Sequence, residues 1–306
     1  MDALSRLLTL YPLHTALDVR CQFGAPWVIE HTAADAGIAP YHLIARGSAL
    51  LDAGALRGHD LLAGDIVVFP HGSAHRLYTR DDAPALPSRA LPGEHVVEIR
   101  TNDGTGPASD ILCGEFRFGA DAVRGLLAAL PEVIVVRSAE RPEAAGLRHL
   151  LALLHAETAT PRPGASAIVA QLSSALFALL IRAWLEQAES IAGLFAVLAQ
   201  PRLQGALQAM LAAPQQAWSL EQMAAACHMS RATFARLFKQ AAGATPAEVL
   251  TQIRMAQAAR RLTQGRQAAG DIAEAVGYQS EAAFSRAFKR HYGIGPGEYR
   301  RQASKR

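Results

Sequence analysis

The sequence predicts an α+β chain of several domains: a β-barrel over residues 1–130, a helical connector over 131–200, and an all-α module over 201–306. Three observations carry this expectation. One helical pattern is written twice near the C-terminus, fifty residues apart. Short apolar runs cut by Gly, Pro and Asp fill residues 27–118. Between these regions the apolar period changes to that of a helix.

In the N-terminal region the runs Tyr41–Leu51, Asp65–Phe69, His75–Tyr78, His95–Arg100 and Ile111–Phe118 read as strands. Gly54, Gly58, Gly64, Pro70-His71-Gly72, Pro92-Gly93 and Asp103-Gly104 supply the turns. Many short strands with such punctuation point to a barrel or sandwich. The Pro- and Ala-rich stretch Asp81–Gly93 reads as a surface loop.

Leu147, Leu150, Leu151 and Leu154 then sit at helical spacing, as do Ile168, Leu172, Leu176, Leu179 and Ala183. Thr160-Pro161-Arg162-Pro163-Gly164 separates the two helices. Such a hairpin either joins two copies of the chain or packs on its own barrel. The apolar run Ala175–Ile181 is far shorter than a membrane span, so no membrane partner is expected.

In the C-terminal module Phe234-Ala235-Arg236-Leu237-Phe238-Lys239 reappears as Phe284-Ser285-Arg286-Ala287-Phe288-Lys289. Two copies joined by turns of slightly different length read as two helix-turn-helix units, at about 219–241 and 271–292. Ser219, Ser230 and Ser280 are N-caps. Phe234, Leu237 and Phe238 fall on one face and form core, as do Phe284, Ala287 and Phe288. The opposite faces carry Arg231, Ala232, Ala235, Arg236 and Lys239 in the first copy, and Glu281, Ala282, Ser285, Arg286 and Lys289 in the second. Residues 246–264 read as one long helix between the copies.

Charge divides along the same boundary. Residues 1–200 hold 15 Lys and Arg against 21 Asp and Glu, a net −6, whereas residues 201–306 hold 15 against 6, a net +9. A basic helical module on an acidic domain implies a polyanionic partner for the module alone. Three cysteines, Cys21, Cys113 and Cys227, are too few for a secreted disulfide framework, and a cytoplasmic protein is expected.

Residues from about 203 to 302 resemble the AraC/XylS family of transcription regulators. The likeness rests on Ser230 through Lys239, Gly243-Ala244-Thr245-Pro246, Arg254-Met255, Ile272-Ala273, Val276-Gly277-Tyr278, Phe284, Phe288-Lys289, Gly293, Pro296 and Tyr299-Arg300. The resemblance implies two helix-turn-helix units that bind double-stranded promoter DNA, with RNA polymerase as a further partner. Family base-contacting positions match Ala232, Ala235 and Arg236, then Glu281, Ala282, Ser285 and Arg286. Lys239, Lys289, Arg290 and the capping Ser230 and Ser280 are expected to hold phosphates, which position without specifying sequence.

Gly64 through His75 resembles the second cupin motif, a strand, a Pro-Gly turn and a returning strand that aims His75 inward. The first motif, with its paired histidines and glutamate, is absent, and an enzyme is therefore not expected. His42, His71 and His75 are candidate ligands for zinc or another metal; the alternative is a barrel without metal. Met1-Asp2-Ala3-Leu4-Ser5-Arg6-Leu7-Leu8, Ser73-Ala74-His75-Arg76 and Leu112-Cys113-Gly114 resemble a narrower group of cupin-bearing activators, one of which responds to reactive chlorine species. That likeness implies oxidant sensing at Cys21 and Cys113. Arg20 and Arg117 are positive neighbours expected to favour the thiolates. The remaining alternatives are control by a small organic ligand or metal in the barrel, with Cys21 and Cys113 as ordinary buried residues.

Overall fold

A computed structural model describes residues 1–80, 83–139, 141–265 and 267–303. Asp81 and Asp82, where the expected Asp81–Gly93 loop begins, lie outside the described residues. The chain opens with α1 (Ala3–Leu10), β1 (Leu13–Gly24), β2 (Val28–His31), β3 (Ile38–Arg46), β4 (Ser48–Ala53), β5 (Leu56–Leu62) and β6 (Ile66–Val68). There follow β7 (His75–Tyr78), β8 (Arg89–Ala90), β9 (Glu98–Thr101), β10 (Ala108–Phe118), α2 (Ala120–Gly125) and β11 (Ile134–Val136). The remainder is helical: α3 (Ala145–Ala159), α4 (Ala165–Gln187), α5 (Gly193–Ala199), α6 (Pro201–Ala212), α7 (Leu220–Ala225) and α8 (Arg231–Ala242). It closes with α9 (Pro246–Gln264), α10 (Ala269–Ala275), α11 (Glu281–Tyr292) and α12 (Pro296–Ala303).

Two compact units form. One comprises Leu13–Val123 and Leu130–Glu189; the other comprises Met1–Pro12, Arg124–Ala129 and Ser190–Arg306. In the first, strands divide between a seven-stranded sheet, β11-β6-β3-β10-β1-β9-β8, and a four-stranded sheet, β2-β7-β4-β5. Among the described residues the strands form two separate sheets, the sandwich form of the expected barrel or sandwich. Very short edge strands, two residues in β8 and three in β11, end the larger sheet before it can curl shut. Gly47, at φ 80°, splits the single strand expected over Tyr41–Leu51 into β3 and β4.

The core of this unit gathers Phe23, Trp27, Ile44, Leu51, Leu61, Phe69, Leu77 and Ile111 from both sheets, and it includes Cys21 and Cys113. Helices α3 and α4 pack on the larger sheet, with Phe177 of α4 edge-on to Phe116 of β10 at 5.1 Å. By length and composition α4 is apolar enough to cross a membrane, longer than the seven-residue run suggested. Its Val169, Leu176, Phe177, Leu180 and Ile181 are spent on packing within the unit.

The second unit is all helical. Ser219 and Thr245 make capping boxes with Gln222 and Glu248, which satisfies donors at the starts of α7 and α9. Gly243 and Gly293 end α8 and α11 in the left-handed region, where glycine carries no Cβ penalty. Phe234, Phe238, Phe284 and Phe288 are fully buried, each worth about 1.5–3 kcal/mol of burial. Helix α1 also belongs here: the Met1 carbonyl accepts from Gln208 and the Thr9 carbonyl from Arg260.

Candidate functional site

The duplicated pattern folds as a duplicated surface. In α8 and α11 the exposure is the same position by position. Arg231, Ala232, Arg236 and Lys239 are exposed, matching Glu281, Ala282, Arg286 and Lys289; Arg290 is exposed as well. Ala235 and Ser285 are half-buried between the exposed stripe and the phenylalanine core. Arg231 forms an ion pair with Glu221 at 2.7 Å, so its guanidinium is partly engaged by its own unit. Ser230 and Ser280 act as N-caps, accepting from the backbone N–H groups of Thr233 and Ala283 at 3.3 and 3.2 Å.

The turn before each helix is left-handed. Gly277 has φ 86°, and an added Cβ there would sit 2.5 Å from the Gln215 carbonyl oxygen. The first unit places His228 at the matching position, with φ 54°. Helix α9 runs for 19 residues, about 28 Å at the α-helical rise. It packs on α8, α10 and α12. The two exposed stripes, rich in Arg and Lys and low in acid, have the composition that meets phosphates and base edges.

The second cluster lies in the sheet unit. Strands β1 and β10 pair antiparallel, with Cys21 opposite Ile111 and Cys113 opposite Val19. The two cysteines are thus diagonal neighbours on one face. Both are free and buried. The neighbouring Cys21 side chain and burial push the Cys113 thiol well above its ordinary range. The arginines expected to activate them do not. The Arg20 side chain lies on the other face of β1, giving two hydrogen bonds to Asp110 at 2.9 and 2.5 Å. Arg117 pairs with Glu115. Strand alternation separates Arg20 from its sequence neighbour.

A histidine serves Cys113 instead. His42 Nδ1 lies 3.0 Å from Cys113 Sγ, and His42 Nε2 lies 2.8 Å from His75 Nε2. His75 Nδ1 is 2.8 Å from the Ser73 carbonyl oxygen. A carbonyl only accepts, so His75 carries its proton on Nδ1 and offers a lone pair at Nε2. Burial holds His42 well below the usual imidazole range and His75 at about 4, so both rings are neutral. His42 must then donate through Nε2 to His75 and accept the Cys113 S–H at Nδ1. Four groups form one directed chain: Cys113, His42, His75, Ser73.

The expected trio of His42, His71 and His75 is corrected on one member. His71 turns away, with Nε2 2.9 Å from the Leu130 carbonyl, because the turn that aims His75 inward sends His71 to the other side. His31, opposite His75 on the paired strands β2 and β7, takes its place. Ligand atoms of His31, His42 and His75 all lie within 4.8 Å of one another. The set fits a nitrogen-bound metal ion in chemistry and spacing. No local motif marks His31; only the pairing of β2 with β7 brings it in. Cys227 is half-buried beside the first turn, and burial raises its thiol.

Known proteins match both halves. A cupin family profile matches residues 2–186, and a helix-turn-helix domain profile matches residues 223–302. The RCS-specific HTH-type transcriptional activator RclR of Escherichia coli (strain K12) is 35% identical over 301 residues, 98% of this chain and 97% of its own. The HTH-type transcriptional regulator MtrA of Neisseria gonorrhoeae is 30% identical over 318 residues, covering 100% of both chains. A putative AraC-like transcription regulator of Streptomyces lividans is 32% identical over 309 residues, 98% of each chain. With the two profiles matched on this chain and relatives at least 30% identical over its full length, the chain belongs to the AraC-type family of DNA-binding transcription regulators and is not an enzyme.

Proposed function

We propose that oxidation of Cys21 and Cys113 controls how this regulator binds promoter DNA. The observation that carries the reading is the pair of buried thiols set as diagonal neighbours on adjacent strands, with His42 Nδ1 placed 3.0 Å from the Cys113 sulfur as a proton acceptor. The RCS-specific activator among the relatives supports the same signal class.

The chemistry balances with hypochlorous acid as the named oxidant. One thiol takes the chlorine, giving a sulfenyl chloride and water. The second sulfur displaces chloride, forming the disulfide and releasing a proton and a chloride ion. His42 accepts the proton leaving Cys113. A thiol held protonated by burial reacts slowly with weak oxidants, since the thiolate is the nucleophile. The site therefore selects a strong, small, uncharged oxidant over hydrogen peroxide.

Bridging diagonal neighbours draws β1 and β10 together in a packed core, and such interiors shift between discrete arrangements. The oxidised arrangement differs in DNA affinity or geometry, and this difference is what moves the population. In this reading the protein works in the cytoplasm as an activator that meets RNA polymerase at its promoter. The exposed flank of the α3–α4 hairpin, with Leu153 and Ile168 in solvent, is its surface for a second copy.

Peptide mapping of protein treated with one equivalent of hypochlorous acid tests the reading. The expected result is a Cys21–Cys113 bond with altered promoter affinity, and neither change in Cys21→Ser. Free thiols at both positions alongside changed binding would remove the disulfide from the account.

A further inference from the structure

We propose that His31, His42 and His75 bind a late first-row divalent metal ion, and that binding it reverses the hydrogen bond between His42 and Cys113. The inference stands on the histidine geometry and does not depend on the oxidation reading.

Three imidazoles from three strands meet at one point. His31 and His75 face each other across β2 and β7, with rings stacked at 4.8 Å. His42 arrives from β3 in the other sheet, 4.9 Å from the His31 ring and 5.0 Å from the His75 ring. The ligand atoms lie within 4.8 Å of one another. Among the described residues the His31 ring makes no hydrogen bond, although burial keeps it neutral. Its lone pair is unspent.

The surroundings already orient one of the rings. The Ser73 carbonyl fixes the His75 tautomer and turns its Nε2 lone pair to the centre, the arrangement that orients a metal-ligating imidazole. No carboxylate joins the trio among the described residues. An all-imidazole set suits zinc, cobalt, nickel or copper and disfavours magnesium and calcium, which take oxygen ligands. Three protein ligands leave a coordination position open.

The His42–His75 nitrogen separation is 2.8 Å, a hydrogen bond with one proton between the rings. Two nitrogens at about 2.0–2.1 Å from a tetrahedral ion stand roughly 3.3–3.4 Å apart. Entry of the ion therefore needs the rings to part by about half an ångström and the proton to leave His42 Nε2. That proton moves to Nδ1, which then donates to Cys113 Sγ. The Cys113 hydrogen turns away from the ring, on the side of its diagonal neighbour Cys21. No proton is lost from the cluster. The sulfur stays on the far side of the His42 ring from the ion and does not ligate it.

The test uses the full chain stripped with chelator, then titrated with zinc by calorimetry and with cobalt by visible absorption. The expected result is one ion per chain and a cobalt spectrum with no thiolate-to-metal charge-transfer band. Cys21→Ser and Cys113→Ser retain the ion, as does His71→Ala. His31→Ala lies at the half-buried rim and loses at least about tenfold in affinity. Nitrogen-15 NMR of the His42 ring shows its proton on Nε2 without metal and on Nδ1 with zinc. Failure of the wild-type chain to bind zinc or cobalt overturns the site whatever the variants do. A sulfur charge-transfer band that vanishes in Cys113→Ser overturns the geometry, and an unchanged His42 tautomer overturns the reversal. Retention of metal by both cysteine variants keeps this outcome separate from any failure of the oxidation reading.

Discussion

Arg20 is buried, and it spends its guanidinium on Asp110 rather than on the adjacent cysteine. His155 of α3 adds a contact to the same carboxylate at 2.9 Å, so the ion pair ties β1 and β10 to a helix. Burial raises the Asp110 carboxyl, but the bonds from Arg20 and His155 outweigh it and hold the group below its ordinary value. Removing one partner leaves the other charge buried alone. Asp110→Ala is expected to cost about 3–5 kcal/mol, read by urea unfolding; a loss within the scatter of surface substitutions would make the pair dispensable. His75 sets a second expectation. Its folded value lies at about 4, depressed by burial from 6.5. The unfolded chain thus binds more protons below 6.5, and stability falls as pH drops from about 6.5 towards 4. His75→Gln removes part of that slope, and an identical slope in the variant contradicts it. On the DNA face, Arg236→Ala is expected to cost about 1–3 kcal/mol on the specific site if it reads guanine. Lys289→Ala weakens all sequences alike and lowers the salt slope by about 1. Equal losses on specific and random DNA would demote Arg236 to a phosphate contact.

Between the paired units, the turns carry unequal strain. Gly277 holds its left-handed turn at no Cβ cost and lies against the Gln215 backbone, whereas His228 holds the matching turn with a side chain. Gly277→Ala is expected to destabilise by at least about 1–2 kcal/mol, and His228→Gly to stabilise by up to about 1 kcal/mol. Thermal melts of both variants check this, and a stabilised Gly277→Ala would contradict the turn geometry. The helical elements were largely legible in the chain. Caps at Ser219, Ser230 and Ser280 mark starts, and Pro246–Gln264 matches α9 residue for residue. The strands were less so. Strand β1 hides because Arg20 is buried by an ion pair on one face while a register shift between Leu17 and Val19 disturbs the alternation. In the candidate site, His42 and His75 were visible through motif and position. His31 was not, because four residues of β2 carry no signal of what they pair with, and His71 misled because a turn decides which histidine points inward.

At the scale of the whole molecule, charge and fold divide together. The sheet unit holds Cys21, Cys113 and the clustered His31, His42 and His75, and the helical unit holds the basic repeat. The hairpin expected to stand between two domains packs on the larger sheet within the sheet unit, whereas α1 packs with the helical one. The central claim is that α8 and α11 enter successive major-groove faces as a pair, with α9 as the spacer. Successive faces recur about every 34 Å, a distance two helices held by a 19-residue rod can span. Guanine-specific footprinting of a bound promoter tests this most directly. The account predicts two protected patches one helical turn apart, with Arg236→Ala erasing one and Arg286→Ala the other. A single patch, or a footprint untouched by either substitution, would contradict it.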